Sequence, residues 1–180
     1  MVENERKDDK TGDSGGKPQK KLRVLLRTFG CQMNVRDSEV ICGLLKQAGF
    51  AIADDPKGAD VLIFNTCSVR QHAEDRVWSQ IGSYNGGQVI GLVGCMAKNY
   101  AQRAFERAPN LSFVVGPQDI AKIPDIIKRL SAIDHRPSTQ NLFQVKIWET
   151  DAEIRPEAVY QTGFHEDKDH AYVVISEGCS

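Results

Sequence analysis

Four short apolar runs decide the fold: LRVLLRTFG at residues 22–30, ADVLIFNTCS at 59–68, GQVIGLVGCMA at 87–97 and LSFVVGPQD at 111–119. Each holds a near-continuous apolar stretch bounded by polar residues or glycine, which predicts a buried strand. We place these strands at about 24–28, 61–65, 88–93 and 112–115. Strands that are apolar along their whole length are typical of parallel sheets covered on both faces.

Helical patterns fill the intervals between these runs. The first helix follows Asn34, which we interpret as its N-cap, and ends at Gly49. Further helices are predicted at about 69–84, 98–108 and 123–130. Alternating strands and helices predict a Rossmann-like α/β domain, a parallel sheet with helices on both faces. Ligands of such sheets bind beyond the carboxyl ends of the strands.

The composition is that of an ordinary globular protein, with 41% hydrophobic and 26% charged residues and a net charge of −1 over 180 residues. No run approaches the roughly 20 apolar residues of a membrane span. The polar N-terminus also lacks the apolar segment of a secretory signal. We therefore expect a cytoplasmic protein without membrane association. Residues 22–130 carry thirteen basic and ten acidic side chains, an excess that a phosphate-binding surface and solvated helix faces explain about equally well.

Composition also divides the chain into segments. Residues 1–21 are polar and rich in charge, so we expect a disordered tail. The predicted domain spans 22–130, and the acidic stretch at 131–170 is interpreted as a connector. A new apolar strand begins within 171–180, so we expect the chain to be the front part of a longer protein.

Three of the five cysteines occupy equivalent places. Cys31, Cys67 and Cys95 each directly follow a predicted strand and precede a helix. The carboxyl ends of parallel strands share one edge of the sheet, so the three thiols are expected there together. Helix N-termini favour anionic ligands such as thiolates. The pattern therefore predicts a metal site.

The ligand type narrows the choice of metal. All-sulfur sites in a reducing compartment bind zinc or iron-sulfur clusters. A structural zinc site normally has four ligands, often in close pairs, whereas three thiolates can hold a four-iron cluster and leave one iron open. The alternative is that these cysteines are small buried residues at strand ends. Packing is the role we expect for Cys42, inside the first helix, and the four histidines share no spacing that indicates a ligand or a base.

Several motifs also carry a resemblance: TFGCQMN at 28–34, NTCSVR at 65–70, GCMA at 94–97 and VGP at 115–117. Together they resemble the N-terminal domain of the radical-SAM methylthiotransferases. The CQMN and NTCSVR forms are similar to the branch that modifies tRNA, whereas the branch that modifies a ribosomal protein tends to carry CPKN. The resemblance covers about residues 22–130, and 171–180 are similar to the start of the next domain.

The resemblance implies specific roles. Cys31, Cys67 and Cys95 would bind an auxiliary 4Fe-4S cluster whose open iron holds the sulfur destined for the product. Cys179 falls at the first cysteine of the C-x-x-x-C-x-x-C motif, whose other two cysteines would follow Ser180. The complete enzyme would use a second 4Fe-4S cluster, S-adenosylmethionine and a sulfur donor.

The implied reaction places a methylthio group on C2 of N6-isopentenyladenosine next to the anticodon of tRNA. We expect residues 1–180 alone to be monomeric and inactive. Asn34, Ser68 and Arg70 flank the predicted pocket and are candidates for contacts with the cluster or RNA, although capping and helix-surface roles are commoner for such residues. Two other functions stay open: a methylthiotransferase acting on a ribosomal-protein aspartate, and a non-catalytic iron-sulfur or zinc-binding module.

Overall fold

The computed structural model describes residues 21–68, 71–84, 87–132 and 145–164, without the side chains of 71–73. Its centre is a sheet of six strands in the order β2-β1-β3-β4-β5-β6, in which every neighbouring pair is parallel. The predicted Rossmann-like α/β class is thereby confirmed. The strands are β1 (Arg23–Phe29), β2 (Ala51–Ile52), β3 (Val61–Thr66), β4 (Val89–Gly94), β5 (Phe113–Val115) and β6 (Ile147–Glu149).

Five α-helices connect the strands in the described part of the chain: α1 (Gln32–Gln47), α2 (Gln71–Ser83), α3 (Cys95–Tyr100), α4 (Ala104–Arg107) and α5 (Ile123–Ala132). The N-cap prediction was wrong, because α1 begins at Gln32 and its N-cap is Cys31, in an extended conformation. Asn34 lies in the first turn. The helix predicted at 98–108 begins three residues earlier and is interrupted at Ala101, a non-glycine residue with φ +48°.

The helices cover both faces of the sheet with separate apolar cores. On one face, α1 and α5 pack through residues such as Ile41 and Ile127 against Val24. On the other face, α2, α3 and α4 pack against Leu62 and its neighbours. Trp78 of α2 is buried in this second core.

The described part of the predicted connector, residues 145–164, packs on the domain. Its first element, β6, adds to the sheet beside β5, with Ile147 in register with Phe113. Lys122 forms ion pairs with Asp119 and with Glu149 of β6, and so links this strand to the segment after β5. Its Nζ lies 2.8 Å from Asp119 Oδ1 and 2.8 Å from Glu149 Oε2. The hydrogen bonds to Asp119 and then to Glu149 raise the pKa of Lys122 above its usual value. The sequence did not reveal β6, because three residues are too few to show a period.

Residues 150–164, here called the strap, run from β6 across α1. Arg155 forms a buried bidentate pair with Asp37 of α1, with 2.6 Å between Nη1 and Oδ1 and 3.2 Å between Nη2 and Oδ2. Arg155 also donates to the Tyr160 hydroxyl and to the Pro117 carbonyl. Val159 is buried in the core beneath α1. The strap is therefore part of the folded domain. Within the described ranges, no helix combines the length and apolarity that a membrane crossing requires.

Candidate metal centre

The three predicted ligands follow the carboxyl ends of neighbouring strands. Register pairs Phe29 of β1 with Thr66 of β3, and Thr66 with Gly94 of β4, so these strands end level with one another. Cys67 and Cys95 are the next residues along β3 and β4, and Cys31 lies two residues beyond the end of β1. The structure therefore brings Cys31, Cys67 and Cys95 to one edge of the sheet.

Two glycines allow these turns to lie close together. Gly30 has φ +153°, and a Cβ added to it would lie only 2.7 Å from Cys67 Cβ. Gly94 has φ +96°, and a Cβ there would lie 2.5 Å from the Thr66 carbonyl oxygen. A hydrogen bond of 3.0 Å from the Cys67 N–H to the Phe29 carbonyl further joins the first two turns. Any side chain at either glycine would push neighbouring cysteine turns apart.

The exposure and arrangement of the three cysteine thiols bear on whether they suit zinc or a four-iron cluster. Cys31 and Cys95 are exposed and Cys67 is half-buried. In the ranges that the structure describes, no three His, Cys, Asp or Glu side chains form a group that could hold a metal ion. A four-iron cluster makes a different demand, because each thiolate binds its own iron and the thiolates surround a body several atoms wide. Three thiols along an open edge suit such a cluster better than a closed four-ligand zinc site.

A buried polar network lies directly beneath the cysteine turns. Asn65, near the end of β3, donates from Nδ2 to the Asn34 carbonyl at 2.8 Å and to Ser38 Oγ at 2.9 Å. Its Oδ1 accepts from Asn34 Nδ2 at 3.1 Å. Asn34 Oδ1 in turn accepts from the Cys31 N–H at 3.2 Å, and Ser38 shares a hydrogen bond of 2.7 Å with Thr28.

Asn34 is among the pocket residues that the sequence motifs predict, whereas Asn65 and Ser38 are not. The available signal was the amide of Asn65 inside the otherwise apolar run VLIFNT, because a buried polar side chain needs hydrogen-bond partners. The other candidates are less informative. Ser68 follows Cys67 and is half-buried, whereas Arg70 and Cys179 lie outside the described residues.

The fold and the site together define a class, an α/β domain with three cysteines at the ends of three adjacent parallel strands. Comparison with known sequences shows which family has this sequence pattern. Residues 23–116 match the uncharacterised protein family UPF0004, and the chain belongs to that family. The motif-based resemblance to the N-terminal part of methylthiotransferases is confirmed by curated relatives, each described as a tRNA-2-methylthio-N(6)-dimethylallyladenosine synthase.

Three of these relatives illustrate the extent of the match. The protein of Petrotoga mobilis is 32% identical over 165 residues, which cover 88% of this chain and 35% of the relative. That of Myxococcus xanthus is 35% identical over 162 residues, 87% of this chain and 34% of the relative. That of Bordetella parapertussis is 37% identical over 169 residues, 88% of this chain and 33% of the relative. The chain thus spans about a third of the length of these relatives.

Proposed function

We propose that this chain supplies the auxiliary-cluster domain of a tRNA methylthiotransferase, with Cys31, Cys67 and Cys95 as the three protein ligands of a 4Fe-4S cluster. The observation that carries the proposal is the position of these cysteines at the level ends of β1, β3 and β4. The name of the relatives supports tRNA as the substrate.

The chain's own residues would hold the cluster at the edge of the sheet. The three thiolates would bind three irons of the cluster, and the fourth iron, without a protein ligand, would offer a place for a sulfur atom. Cys31 is the N-cap of the sixteen-residue helix α1, so the partial positive charge of that helix end favours the negative charge of a thiolate-bound cluster. Exposure of Cys31 and Cys95 leaves the site open to a reaction partner.

The remaining parts of the reaction belong to the same proposal. Cys179 would be the first ligand of a second 4Fe-4S cluster that works with S-adenosylmethionine. The methylthio group, with sulfur taken from a donor, would be placed on C2 of N6-isopentenyladenosine beside the anticodon. A cytoplasmic location suits a tRNA substrate. Ser68 and Arg70, next to Cys67 in sequence, stay candidates for contacts with the cluster or with RNA.

Cluster loading tests the ligand assignment. The chain is reconstituted anaerobically with iron and sulfide, and bound iron, sulfide and zinc are measured. We expect about four irons and four sulfides per chain, with large losses in Cys31→Ala, Cys67→Ala and Cys95→Ala. Cys42→Ala, a cysteine on α1 outside the predicted ligand set, is the matched control and should load like the parent. Stoichiometric zinc, or full iron loading of Cys67→Ala, would contradict the assignment.

An iron without a protein ligand would distinguish a catalytic cluster domain from a non-catalytic iron-sulfur module. Added sulfide or methanethiol should change the absorption and paramagnetic resonance spectra of the loaded parent chain, because a small sulfur ligand can occupy the fourth iron. A spectrum that does not respond to either compound would favour a closed structural or sensing cluster.

The substrate is tested with a chimeric enzyme. Residues 1–180 replace the corresponding third of the Myxococcus xanthus relative, and nucleosides from its tRNA product are analysed by mass spectrometry. We expect the 2-methylthio nucleoside with the parent and Cys42→Ala chimeras and its loss with Cys67→Ala. Methylthiolation of a ribosomal protein instead of tRNA would favour the alternative substrate.

A further inference from the structure

Both side-chain N–H groups of Asn65 donate hydrogen bonds to the first two turns of α1. It is completely buried, at 0% exposure, in a strand whose six residues are all buried. Burying an amide is costly unless its polar atoms are paired, so the partners of Asn65 determine how the surrounding chain is held. Those partners are the carbonyl and side chain of Asn34 and the hydroxyl of Ser38.

Asn34 connects the Asn65 side chain to Cys31. Asn34 is only 3% exposed, and its Oδ1 accepts from both the N–H and the Sγ of Cys31, at 3.2 and 3.4 Å. The bond from the backbone N–H does not depend on the thiol proton, so it can persist when the sulfur binds iron. Asn65 therefore fixes the orientation of Asn34, and Asn34 fixes the turn that carries Cys31.

The same side chain meets the turns of the other two cysteines. Asn65 lies two residues before Cys67 on the same strand. On β4, a Cβ added to Gly94, the residue before Cys95, would lie 2.7 Å from Asn65 Oδ1. The neighbouring Thr66 adds a bond of 2.9 Å from its hydroxyl to the Val93 carbonyl. One buried amide thus lies where the three cysteine-bearing turns converge.

We infer that Asn65 is a positioning residue, which holds the turns of Cys31, Cys67 and Cys95 in the one arrangement that accepts the cluster. The inference rests on the proposed function for the identity of the ligand. Partners that orient ligating side chains typically change metal affinity about 10- to 100-fold when they are replaced. The proposal makes Asn65 necessary for the geometry of the site, beyond any contribution to the stability of the fold.

Asn110 provides a matched control for the experiment. Asn110 is half-buried, and its Nδ2, like that of Asn65, donates twice, here to the carbonyls of Ile81 and Tyr84 at 2.6 and 3.0 Å. It precedes β5, so it lies at the opposite edge of the parallel sheet from the cysteine turns. Asn110→Leu removes the same kind of hydrogen bonds without touching the candidate site.

The test compares the parent chain with Asn65→Leu, Asn65→Asp and Asn110→Leu by two measurements. The first is deuterium exchange of the chain without iron, read by mass spectrometry in the peptide around Cys31. We expect exchange there to be at least about tenfold faster in Asn65→Leu, because leucine makes none of the three side-chain hydrogen bonds of Asn65. Asn65→Asp keeps an acceptor for Asn34 Nδ2 but loses both donated bonds, so it should be intermediate.

The second measurement is iron and sulfide content after reconstitution, with the paramagnetic resonance spectrum of the reduced cluster. Asn65→Leu should load about 10- to 100-fold more weakly and give an altered spectrum, whereas Asn110→Leu should match the parent in both. Asn34→Ala, which leaves β3 intact, should reproduce the altered spectrum if Asn65→Leu fails to fold.

The outcomes separate the two proposals. Parent exchange rates around Cys31 in Asn65→Leu, or equal losses of iron in Asn65→Leu and Asn110→Leu, would overturn the role of Asn65. A parent chain that binds no iron while Asn65→Leu still accelerates exchange would overturn the cluster assignment and leave the control of the Cys31 turn by Asn65 standing.

Discussion

Single residues at the ends of β1 and β4 decide how closely the cysteine turns can approach. Gly94 has φ +96° and ψ −158°, a backbone conformation that is almost confined to glycine. It also lies against the Thr66 carbonyl, with no room for a side chain. Gly49 has a similar φ of +91° just after the end of α1, but no described residue other than its chain neighbours lies within 4 Å of its Cβ position. Both glycines have a strained backbone, but only Gly94 is also closely packed. Substitutions at the two positions therefore distinguish the cost of strain from the cost of close packing.

Gly94→Ala is expected to destabilise the chain by about 3 kcal/mol or more, because strain of about 1–3 kcal/mol adds to the contact with Thr66. Gly49→Ala should cost only about 1–2 kcal/mol, the strain alone. Urea unfolding measures both. Equal losses would mean that the turns of Cys67 and Cys95 can move apart freely, against the tight edge described above.

At the scale of elements, the contact between α1 and the strap depends on a small residue. A Cβ at Gly43 of α1 would lie 2.5 Å from the Thr162 hydroxyl oxygen. Gly82 of α2 is also helical, but among the described residues no atom outside its chain neighbours and its own helix backbone lies within 4 Å of its Cβ position. The strap thus covers α1 closely at Gly43, whereas no described neighbour packs on α2 at Gly82.

Gly82→Ala should stabilise the chain by about 0.5–1 kcal/mol, the ordinary preference of a helix for alanine over glycine. Gly43→Ala gains the same preference but overpacks the strap at a cost of about 1–3 kcal/mol, so it should be neutral or destabilising. Thermal unfolding of the two variants beside the parent checks this. A stabilised Gly43→Ala would show that the strap does not press on α1.

At the scale of the whole molecule, one ion pair joins residues that are 118 positions apart. The side chains of Arg155 and Asp37 are 4% and 7% exposed, so both charges depend on each other. Removing one partner of a buried pair leaves the other charge without compensation, whereas replacing both with apolar groups is often neutral. This pair ties the strap to α1, the helix whose N-cap is Cys31.

Arg155→Met is expected to cost about 3–5 kcal/mol, and the double variant Asp37→Leu with Arg155→Met should recover most of that loss. Arg103→Met, at an exposed arginine on the surface, should change stability by less than about 0.5 kcal/mol. Urea unfolding and deuterium exchange of the strap provide the measurements. A single Arg155→Met variant as stable as the parent would show that the pair does not hold the strap.

Much of the fold was predictable from local sequence. The near-continuous apolar runs that become β1, β3, β4 and β5 are visible because a buried parallel strand needs apolar residues on both of its faces. The cysteine positions followed from the same runs, since a residue directly after such a strand must lie at the carboxyl edge of the sheet. Their role as cluster ligands stays a prediction.

Other features arise only when distant residues meet. A three-residue strand such as β6 has no detectable period, and the capping of α1 by Cys31 rather than Asn34 depends on the turn at Gly30. The contacts of Asn65 with Asn34 and the pair of Arg155 with Asp37 join side chains far apart in the chain.

Local sequence by itself therefore determined the α/β class, the four central strands and the edge that carries Cys31, Cys67 and Cys95, because burial and periodicity are properties of neighbouring residues. Only the tertiary structure decided which polar groups pair inside the protein and how the strap closes over α1. The physical reason is that a buried hydrogen bond or ion pair is specified by two partners at once, and neither partner alone carries the pattern.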